Sequence, residues 1–575
     1  MNDQKIDNLL NLALDATAGE RARSMNLNTG YNPEEGTWEL IVKYSGDILA
    51  LENDMVQIVP LLNNYAIVTV RQTDMQKLFE APQIEFVEKP KRLFFAVSEG
   101  RRVSCINPVT PPSGQLTGAG VLIGLVDSGV DIYHRDFRNA DGTTRIEALW
   151  DQTLTSESVM PPAGYYIGSY YTKTMIDNIL ARPVPPSAVP GADLSGHGTA
   201  VLGIAAGNGS QSGGQYAGVA PESGIIAVKL GTPRPNSFPR TTELIQAVNF
   251  VLETAAAMGK PAVINISFGN AYGAHNGASL LESYLNDMAS VWKNCIVIGT
   301  GNEGSTGGHT SGRLERGQIS EIPFSIADYE TTMNIQLWKN FFDGADIEIV
   351  APSGQSAGPI QNFLGTQRFV IENTELLLYY GEASPYTMAQ EIYIDFLPSE
   401  TYVSPGIWKI RLRPNRIIDG EFHLWMPGST ARSPQTRFLY PEPDGTMTIP
   451  STAFKPIAAA AYDGYTDAYA DFSGRGSVIF NQWIKPDLAA PGVDIVTVSA
   501  AGGYRQVSGT SFAAPFVSGS CALMMEYGII MGNDPYLYGE KVKAYLISGV
   551  RKLPGIEFYP NNKVGYGALC LRDSF

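Results

Sequence analysis

Three short segments, far apart along the chain, carry an acid, a base and a nucleophile. Asp127 lies in LVDSGVD, His197 in SGHGTAVLGIAAG, and Ser511 in GTSFAAPFVSG. A serine hydroxyl becomes a strong nucleophile when a histidine can take its proton and a carboxylate orients that histidine. The three residue types therefore predict acyl transfer through a serine. Their order, Asp then His then Ser, separates the known folds that carry such a triad.

The surrounding patterns indicate which elements deliver these side chains. The apolar run 121–126 leads into Asp127, which predicts a buried parallel strand with the carboxylate at its C-terminal end. His197 stands between two glycines at the start of a helical pattern. Ser511 opens another helix, with Pro515 in its first turn, where proline is tolerated. All three side chains are thus expected at the ends of regular elements.

A fourth segment, VIGTGNEG, runs from an apolar strand into Asn302. Together the four segments resemble those of the subtilisin-like serine proteases, the subtilases. The resemblance implies that Ser511 attacks the scissile carbonyl, that His197 carries the proton, and that Asp127 orients the imidazole. It also implies that Asn302 and the backbone N–H of Ser511 stabilise the oxyanion.

The same resemblance implies a peptide-binding surface built mainly from backbone. Two segments, Ser267–Gly269 and Thr300–Asn302, would form walls that pair with an extended peptide, which gives affinity without demanding particular side chains. Glu303 is expected at the rim of the pocket for the residue that precedes the scissile bond (P1), where it would mildly favour a basic or polar side chain. The alternative for Glu303 is a solvated surface carboxylate. The implied substrate-binding residues are Ser267, Phe268, Gly269, Thr300, Gly301 and Glu303.

Composition favours a globular protein that acts on proteins or peptides. The 575 residues predict two to four domains, and 44% hydrophobic with 17% charged residues suits a sizeable core. With 41 Lys and Arg against 57 Asp and Glu, the net charge is −16. This balance argues against nucleic acid or an anionic membrane surface as the main partner. No cofactor and no catalytic metal are expected, although Asp131 and Asp136 raise the question of a calcium site.

Cysteine usage and the N-terminal sequence bear on the compartment. The four cysteines are too few and too scattered for a disulfide framework or a zinc site, and Cys295 and Cys521 are expected to be core thiols. The first residues lack a basic region followed by an apolar run, which argues against a signal peptide, and they predict a short amphipathic helix instead. No stretch is expected to be long and apolar enough to span a membrane, since Glu526 interrupts CALMMEYGIIMG. Synthesis in the cytoplasm is therefore expected.

The first hundred residues predict a separate small domain, an open-faced α/β sandwich. By the resemblance, residues 1–97 would be a propeptide that acts as intramolecular chaperone and inhibitor. Self-cleavage would then fall within residues 95–101. The alternative is an unrelated α/β domain. The runs that indicate the sandwich are 37–44, 64–70 and 83–89 for strands and 73–80 for a helix.

The rest of the chain alternates strands and helices and then breaks that pattern. The alternation predicts an α/β fold, a subtilisin-like parallel sheet flanked by helices, with the site at the C-terminal ends of the strands. Residues 311–447 instead show period-2 alternation with Gly- and Pro-rich turns, which predicts an inserted β-sandwich of jelly-roll type. The subtilase domain would therefore comprise 98–310 and 448–575. The insertion would restrict substrates or clamp the propeptide; the alternative is that it stabilises the fold without touching substrate.

Several longer phrases narrow the resemblance to the Csp germination proteases of clostridia. They are GTWELIVKYSGD, EKPKRLFFAV, DGTTRIEALWDQT and PNNKVGYGALCL. Those proteases mature by self-cleavage, can retain the cleaved propeptide, and process the zymogen of a spore-cortex lytic enzyme during germination. The resemblance implies a self-processing, spore-associated endopeptidase whose partners are a protein substrate and its own propeptide. The alternative is a binding or signalling protein whose site is permanently plugged by its propeptide.

Overall fold

The structure is a computed structural model that describes residues 5–6, 8–18, 21, 30–61, 64–89, 96–182, 184–185, 188–232, 239–362, 365–383, 387–479, 482–483 and 485–575. The chain divides into two compact units, Met1–Phe95 and Ala96–Phe575. The predicted domain boundaries at residues 97, 310 and 447 stay predictions.

In the part of the N-terminal unit that the structure describes, an antiparallel sheet packs with short helices. Its strands are β1 (Tyr31–Asn32), β2 (Thr37–Tyr44), β3 (Val56–Leu61), β4 (Tyr65–Arg71) and β5 (Ile84–Glu88), and its helices are α1 (Asn8–Asp15) and α2 (Met75–Glu80). The sheet has the order β1-β2-β4-β3, and β5 also pairs with β2. Alternating residues of β2 point into the core, among them the fully buried Trp38, Leu40 and Val42. Leu10 and Ala13 of α1 are buried too, so the predicted amphipathic helix and open-faced α/β arrangement are confirmed.

A nine-stranded sheet forms the centre of the second unit. Its strands are β6 (Leu122–Asp127), β7 (Ile146–Asp151), β8 (Ser169–Thr172), β9 (Gly224–Lys229), β10 (Ala262–Ile266), β11 (Asn294–Gly299), β23 (Ile457–Asp463), β24 (Ala468–Tyr469) and β27 (Leu488–Pro491). The order is β24-β23-β11-β10-β6-β9-β7-β8, with β27 also paired to β23. All neighbouring pairs are parallel except β7–β8 and β23–β24 at the edges. The carboxyl ends of β6, β10 and β11 therefore lie side by side.

Helices cover both faces of this sheet. The helices of the unit are α3 (Ala96–Val103), α4 (Lys173–Ala181), α5 (His197–Ala206), α6 (Thr241–Ala257), α7 (Leu280–Met288), α8 (Thr510–Met525) and α9 (Gly539–Ser548). Alternate residues of β6 enter two different cores: Ile123 packs with α5 and α8, whereas Val126 packs with α6 and α7. This three-layer arrangement confirms the predicted parallel sheet flanked by helices.

The inserted region consists of two antiparallel sheets that share one core. The first sheet has the order β12-β21-β14-β19-β18-β17 and the second β16-β15-β20-β13-β22. Inward residues of both, such as Ile335 and Ile394 from the first and Ile347 and Ile410 from the second, are essentially fully buried in a single cluster. The sheets thus form a sandwich, and its jelly-roll connectivity stays a prediction. The strands are β12 (His309–Arg313), β13 (Ser320–Ile326), β14 (Met333–Asn340), β15 (Gly344–Val350), β16 (Ser356–Ile360), β17 (Gly365–Ile371), β18 (Thr374–Tyr380), β19 (Ala389–Pro398), β20 (Gly406–Arg416), β21 (Glu421–Trp425) and β22 (Arg437–Phe438).

Two two-stranded sheets complete the described strands, and the second of them leads into α8. The first is β25 (Val478–Ile479) with β26 (Gln482–Trp483), and the second is β28 (Ile495–Val498) with β29 (Tyr504–Val507). Both pairs are antiparallel.

One disulfide joins Cys105 to Cys570, across a sequence separation of 465 residues. The scattered cysteine spacing gave no sign of this bond, because only the fold brings the two ends of the second unit together. Backbone N–H groups of Leu571 and Arg572 donate to the carbonyls of Ser104 and Cys105, which places the two segments side by side. Cys295 and Cys521 are buried free thiols, as predicted.

Among the described residues, one helical stretch, Thr510–Ile530, is long and apolar enough by length and composition to cross a membrane. The prediction that no stretch meets this criterion was therefore wrong. The stretch comprises α8 and a π-helical turn that includes Glu526, and 83% of its most apolar window is buried inside the protein. Its apolar character is that of a core helix packed against the central sheet.

Candidate active site

Asp127 and His197 form a direct hydrogen bond at the carboxyl edge of the central sheet. Asp127 is the last residue of β6 and is fully buried, and His197 is the first residue of α5. The distance from His197 Nδ1 to Asp127 Oδ1 is 2.7 Å, and the same oxygen accepts the Ser128 N–H at 2.7 Å. Since a carboxylate only accepts, His197 Nδ1 carries the hydrogen, which leaves Nε2 able to take a proton.

Opposing influences set the pKa of His197. Burial lowers the pKa, whereas the charge and hydrogen bond of Asp127 and the charge of Asp193 raise it. Arg505, whose guanidinium donates to the Gly196 carbonyl at 2.7 Å, lowers it. The raising influences win, and the pKa of His197 lies above its ordinary value. His197 therefore loses its proton, and can act as a base, only at a pH above this raised pKa.

Asp193 is a site residue that sequence reasoning missed. Burial raises its pKa, but the hydrogen bonds it accepts outweigh that effect and hold the pKa below its ordinary value. The carboxylate ties the turn before α5 to the segment after β6, so it fixes His197 relative to Asp127. Its position four residues before His197 was the available signal. The groups that donate to it are Ser128 Oγ, Ser195 Oγ, the Gly196 N–H, the Thr199 N–H and Thr199 Oγ1, at 2.7–3.0 Å.

Ser511 is the second residue of α8, next to the segment that follows β10. Its hydroxyl donates to the Ser267 carbonyl at 3.4 Å, and Ser267 Oγ donates back to the Ser511 carbonyl at 3.1 Å. The His197 ring lies 5.5 Å from the Phe512 ring and 6.0 Å from the Phe268 ring, measured between centroids. The structure thus brings His197 beside both serine-bearing segments, with the Ser511 hydroxyl turned toward Ser267. Catalytic hydrogen bonds of this kind often align only when substrate binds.

A buried chain of polar groups anchors this arrangement. Ser518 Oγ, inside α8, donates to Asn265 Oδ1 at 2.8 Å, and Asn265 Nδ2 donates to Ser267 Oγ at 3.0 Å. Both Ser518 and Asn265 are fully buried. A satisfied buried network of this kind rigidifies its surroundings. It locks the helix that carries Ser511 to the strand that carries Ser267.

Asn302 lies beside the first turn of α8. Its Oδ1 accepts from the Thr510 N–H at 3.0 Å and from Thr510 Oγ1 at 3.2 Å, and Thr510 Oγ1 also accepts the Gly301 N–H at 2.9 Å. Because the amide oxygen is used in this way, the NH₂ group is the part of Asn302 that can donate to a substrate. Thr510 is therefore a further positioning residue, and the phrase GTS was its signal.

The two predicted walls follow adjacent strands, Ser267–Gly269 after β10 and Thr300–Asn302 after β11. Glu303, at the end of the second wall, is half-buried and bound to neighbours. Its Oε1 accepts from the N–H and Oγ of Ser429, each at 2.9 Å, and its Oε2 accepts Thr306 Oγ1 at 2.7 Å. Ser429 belongs to the inserted region, which therefore contacts the residue that follows the second wall. The predicted effect of Glu303 on P1 stays a prediction.

The remaining histidines have structural contacts. His134 accepts the Asp136 N–H at 3.2 Å and its Nε2 contacts the Gly503 carbonyl at 3.2 Å, as expected for a structural histidine. His275, His309 and His423 stack around the buried Trp425 ring. Among the described residues, no group of three or more His, Cys, Asp or Glu side chains could hold a metal ion.

Comparison with protein families accounts for both units. The subtilase family model matches residues 118–359 and 440–567, and the Csp protease B prodomain model matches residues 4–91. The chain belongs to the subtilase family. The prodomain match covers most of the first unit, and the subtilase match covers most of the second. The interruption of the match falls within the inserted sandwich.

Individual relatives agree with this membership. The subtilase is similar to the solved CspB protease of Clostridium perfringens, with a TM-score of 0.76 and 35% identity, over 83% of this chain and 96% of that chain. It is 23% identical over 472 residues to the minor extracellular protease Vpr of Bacillus subtilis, covering 79% of this chain and 51% of Vpr. It is 24% identical over 532 residues to the PII-type proteinase of Lactococcus lactis subsp. cremoris, covering 84% of this chain and 26% of that proteinase. The chain spans about half the length of the first curated relative and about a quarter of the second. These matches place it close to the Csp proteases.

Proposed function

We propose that this subtilase is a self-processing serine endopeptidase in which Asp127, His197 and Ser511 form the catalytic triad. The observation that carries the proposal is the 2.7 Å hydrogen bond between Asp127 and His197 beside the start of the buried helix that bears Ser511. A carboxylate, an imidazole and a serine at one sheet edge are the groups that acyl transfer needs. Membership of the family supports the same chemistry.

The first step forms an acyl-enzyme. The Ser511 oxygen attacks the scissile carbonyl carbon while His197 Nε2 takes the hydroxyl proton, and Asp127 stabilises the imidazolium that results. The carbonyl oxygen becomes negative and accepts hydrogen bonds from Asn302 Nδ2 and the Ser511 N–H at the helix start. The C–N bond then breaks, and the leaving amine carries away the proton from His197.

The second step releases the acyl group. A water molecule gives a proton to His197 Nε2 and its oxygen attacks the ester carbonyl, with the same two donors on the oxyanion. Collapse breaks the bond to the Ser511 oxygen, which recovers the proton from His197. Peptide bond and water are thus converted into a carboxylic acid and an amine, and the enzyme is regenerated.

Self-processing would separate the prodomain from the protease. The expected cleavage range, 95–101, falls where α3 begins at Ala96, and residue 95 lies outside the described residues. A peptide must be extended to pair with the two walls. The segment would therefore be extended when it is cut and helical in the conformation described here. The propeptide would remain in cis or as a non-covalent complex.

The physiological substrate follows from the similarity to Csp proteases rather than from the site. On that basis the substrate would be the zymogen of a spore-cortex lytic enzyme, cut during germination, with the enzyme made in the cytoplasm and associated with the spore. Incubation of the purified protein with such a zymogen, beside the Ser511→Ala variant, tests this assignment. Cleavage by the wild type alone is expected, and an intact zymogen with an active enzyme would exclude it.

Labelling with a fluorophosphonate tests the nucleophile. The reagent phosphorylates an activated serine and loses fluoride, so the wild type should gain one label, located by peptide mass at Ser511. His197→Ala should label far more slowly, because it removes the base. A protein that never labels, although folded, would favour the permanently plugged binding protein over the enzyme.

A further inference from the structure

The gap between the two walls is bridged by a segment that returns from the inserted region. The Thr448 N–H donates to the Thr300 carbonyl at 2.9 Å, next to one wall. Ile449 and Asn270 exchange two backbone hydrogen bonds, at 2.8 and 2.9 Å, next to the other wall. The segment Thr448–Ile449 is therefore fixed to both walls at once. It forms the base of the gap, which we call the P1 slot.

The side chain of Thr448 fills the space between a glycine on each wall. A Cβ atom placed on Gly269 would lie 2.5 Å from Thr448 Oγ1. A Cβ atom placed on Gly301 would lie 2.4 Å from the same oxygen and 2.5 Å from Thr448 Cγ2. Real Cβ contacts are essentially never this short, so a side chain on either wall would force Thr448 to shift, and the φ of Gly301, +86°, favours glycine as well. Thr448 itself is half-buried, which leaves one side of it open to solvent.

A small cavity lies behind this side chain. Its volume is about 10 Å³, and Thr448 forms one of its walls together with Thr446, Ala271 and Trp425. A space of this size holds roughly one water molecule. The cavity is therefore too small to receive a side chain unless Thr448 is shortened.

Substrate would place its P1 side chain at this point. Ser267 is hydrogen-bonded to Ser511, and Asn302 to Thr510, so the scissile carbonyl lies where the two walls begin. The scissile carbonyl belongs to the P1 residue. With its carbonyl at this point, the P1 side chain would project between Gly269 and Gly301, toward Thr448. Atoms beyond Cβ of that side chain would then approach Thr448 Oγ1 and Cγ2.

We propose that Thr448 is a specificity-determining residue that closes the P1 slot and limits P1 to glycine, alanine and serine. This inference rests on the proposed function, because it assumes that the walls bind the substrate backbone. Glu303 lines the same cavity, and both of its carboxylate oxygens are held by hydrogen bonds from Ser429 and Thr306. The substrate class is thus defined by a small residue before the scissile bond.

The same rule selects among the bonds of the predicted self-cleavage segment. Within residues 95–101, FAVSEGR, the residues small enough for P1 are Ala96, Ser98 and Gly100. The mature chain should therefore begin at Val97, Glu99 or Arg101. A mature chain that begins after phenylalanine, valine, glutamate or arginine would contradict the assignment.

A pair of variants tests the slot directly. Thr448→Ala removes the two atoms that fill it, whereas Thr448→Val keeps their volume and loses only the hydroxyl. Both are compared with the wild type on quenched peptides that differ only at P1, carrying Gly, Ala, Ser, Leu, Phe or Arg. The wild type and Thr448→Val should cleave the Ala peptide at least roughly tenfold faster, in kcat/KM, than the Leu and Phe peptides. Thr448→Ala should reduce that ratio by roughly tenfold, chiefly through faster cleavage of the Leu peptide.

Fluorophosphonate labelling of the same samples separates two kinds of failure. A wild type that labels at Ser511 but cleaves Leu, Phe or Arg peptides as fast as Ala would overturn the slot alone. An unchanged P1 profile in a Thr448→Ala variant that labels normally would do the same. Absence of labelling in the folded wild type would overturn the proposed function, and the slot assignment with it.

Discussion

Charges on either side of His197 decide the pH at which it can act as a base. Asp127 and Asp193 raise its pKa, whereas burial and Arg505 lower it. Only the neutral imidazole takes a proton from Ser511, so activity falls as the pH falls through the pKa of His197. Because this pKa is raised, the acidic limb of kcat/KM should lie above the ordinary histidine value of about 6.5.

Two substitutions should move that limb in opposite directions. Asp193→Asn removes a negative charge and should shift the limb to lower pH, while Arg505→Gln removes a positive charge and should shift it to higher pH. The measurement is kcat/KM against pH with one fluorogenic peptide. A lowered plateau without a shift would indicate lost positioning instead, and a shift of both variants in one direction would contradict the electrostatic account.

We expect the Asn302 side chain to contribute to catalysis only through its NH₂ group, which donates a hydrogen bond to the oxyanion. Asn302→Ala is expected to lower kcat by about 100- to 1000-fold, a magnitude taken from the oxyanion-hole asparagine of subtilisin. Asn302→Asp keeps an acceptor for Thr510 and so should keep the thermal midpoint, yet it should lose at least as much activity. Steady-state kinetics and thermal melting of both variants check this. Activity retained within a few-fold in either variant would count against Asn302 as the donor.

At the scale of elements, the start of α8 is tied to the second wall by one hydroxyl. Thr510 Oγ1 accepts the Gly301 N–H and donates to Asn302 Oδ1. Thr510 is buried, so loss of the hydroxyl leaves the Gly301 N–H without its partner, which costs about 1–3 kcal/mol. The helix, the wall and the oxyanion donor therefore form one unit.

Thr510→Val should accordingly weaken catalysis more than binding. The valine keeps the branched shape and loses both hydrogen bonds, so kcat should fall by about tenfold with little change in KM. Thr510→Ser restores the hydroxyl and should restore most of the activity. The comparison of kcat and KM in the three proteins checks this, and a Thr510→Ser variant as impaired as the valine would contradict it.

At the scale of the whole molecule, one covalent bond closes the second unit. Cys105 follows α3, where the mature chain would begin, and Cys570 lies near the C-terminus. A cross-link over so long a stretch of chain restricts the unfolded state, and native disulfides typically contribute about 2–5 kcal/mol. The bond thus holds the two ends of the protease together after the propeptide is cut.

Reductant should therefore destabilise the wild type selectively. Its thermal midpoint should fall in the presence of a strong reductant, and the Cys105→Ser/Cys570→Ser double variant should melt at the lower temperature with or without reductant. Thiol titration under denaturing conditions should give two free thiols for the unreduced wild type, from Cys295 and Cys521. Four free thiols and no effect of reductant would show that the bond is absent in solution.

The features that sequence reasoning predicted correctly are local ones. Asp127, His197 and Ser511 each lie beside an apolar strand or helix pattern, and those patterns fix the ends of β6, α5 and α8. Residue 448 was recognised only as the start of the second part of the predicted subtilase domain, because the contacts of Thr448 with Gly269 and Gly301 depend on the folded sheet. The Cys105–Cys570 bond escaped prediction for the same reason.

The apolar stretch that contains α8 was underestimated because Glu526 was taken as its end, whereas Glu526 continues the helical stretch in the π-helical turn. A helix buried on all sides has the same composition as a membrane span, and only packing separates the two. The sandwich was predicted from period-2 alternation, which shows which side chains of a strand point into the core. That alternation does not predict contacts between distant segments, such as the hydrogen bond from Ser429 to Glu303.

The most direct test of the central claim is the intact mass of the purified protein beside its Ser511→Ala variant. If Ser511 is the nucleophile of a self-processing protease, the wild type splits within residues 95–101 into two fragments and the variant keeps its full length. Wild type and variant that both stay full length would contradict self-processing, and cleavage of both at the same bond would show that another protease makes the cut.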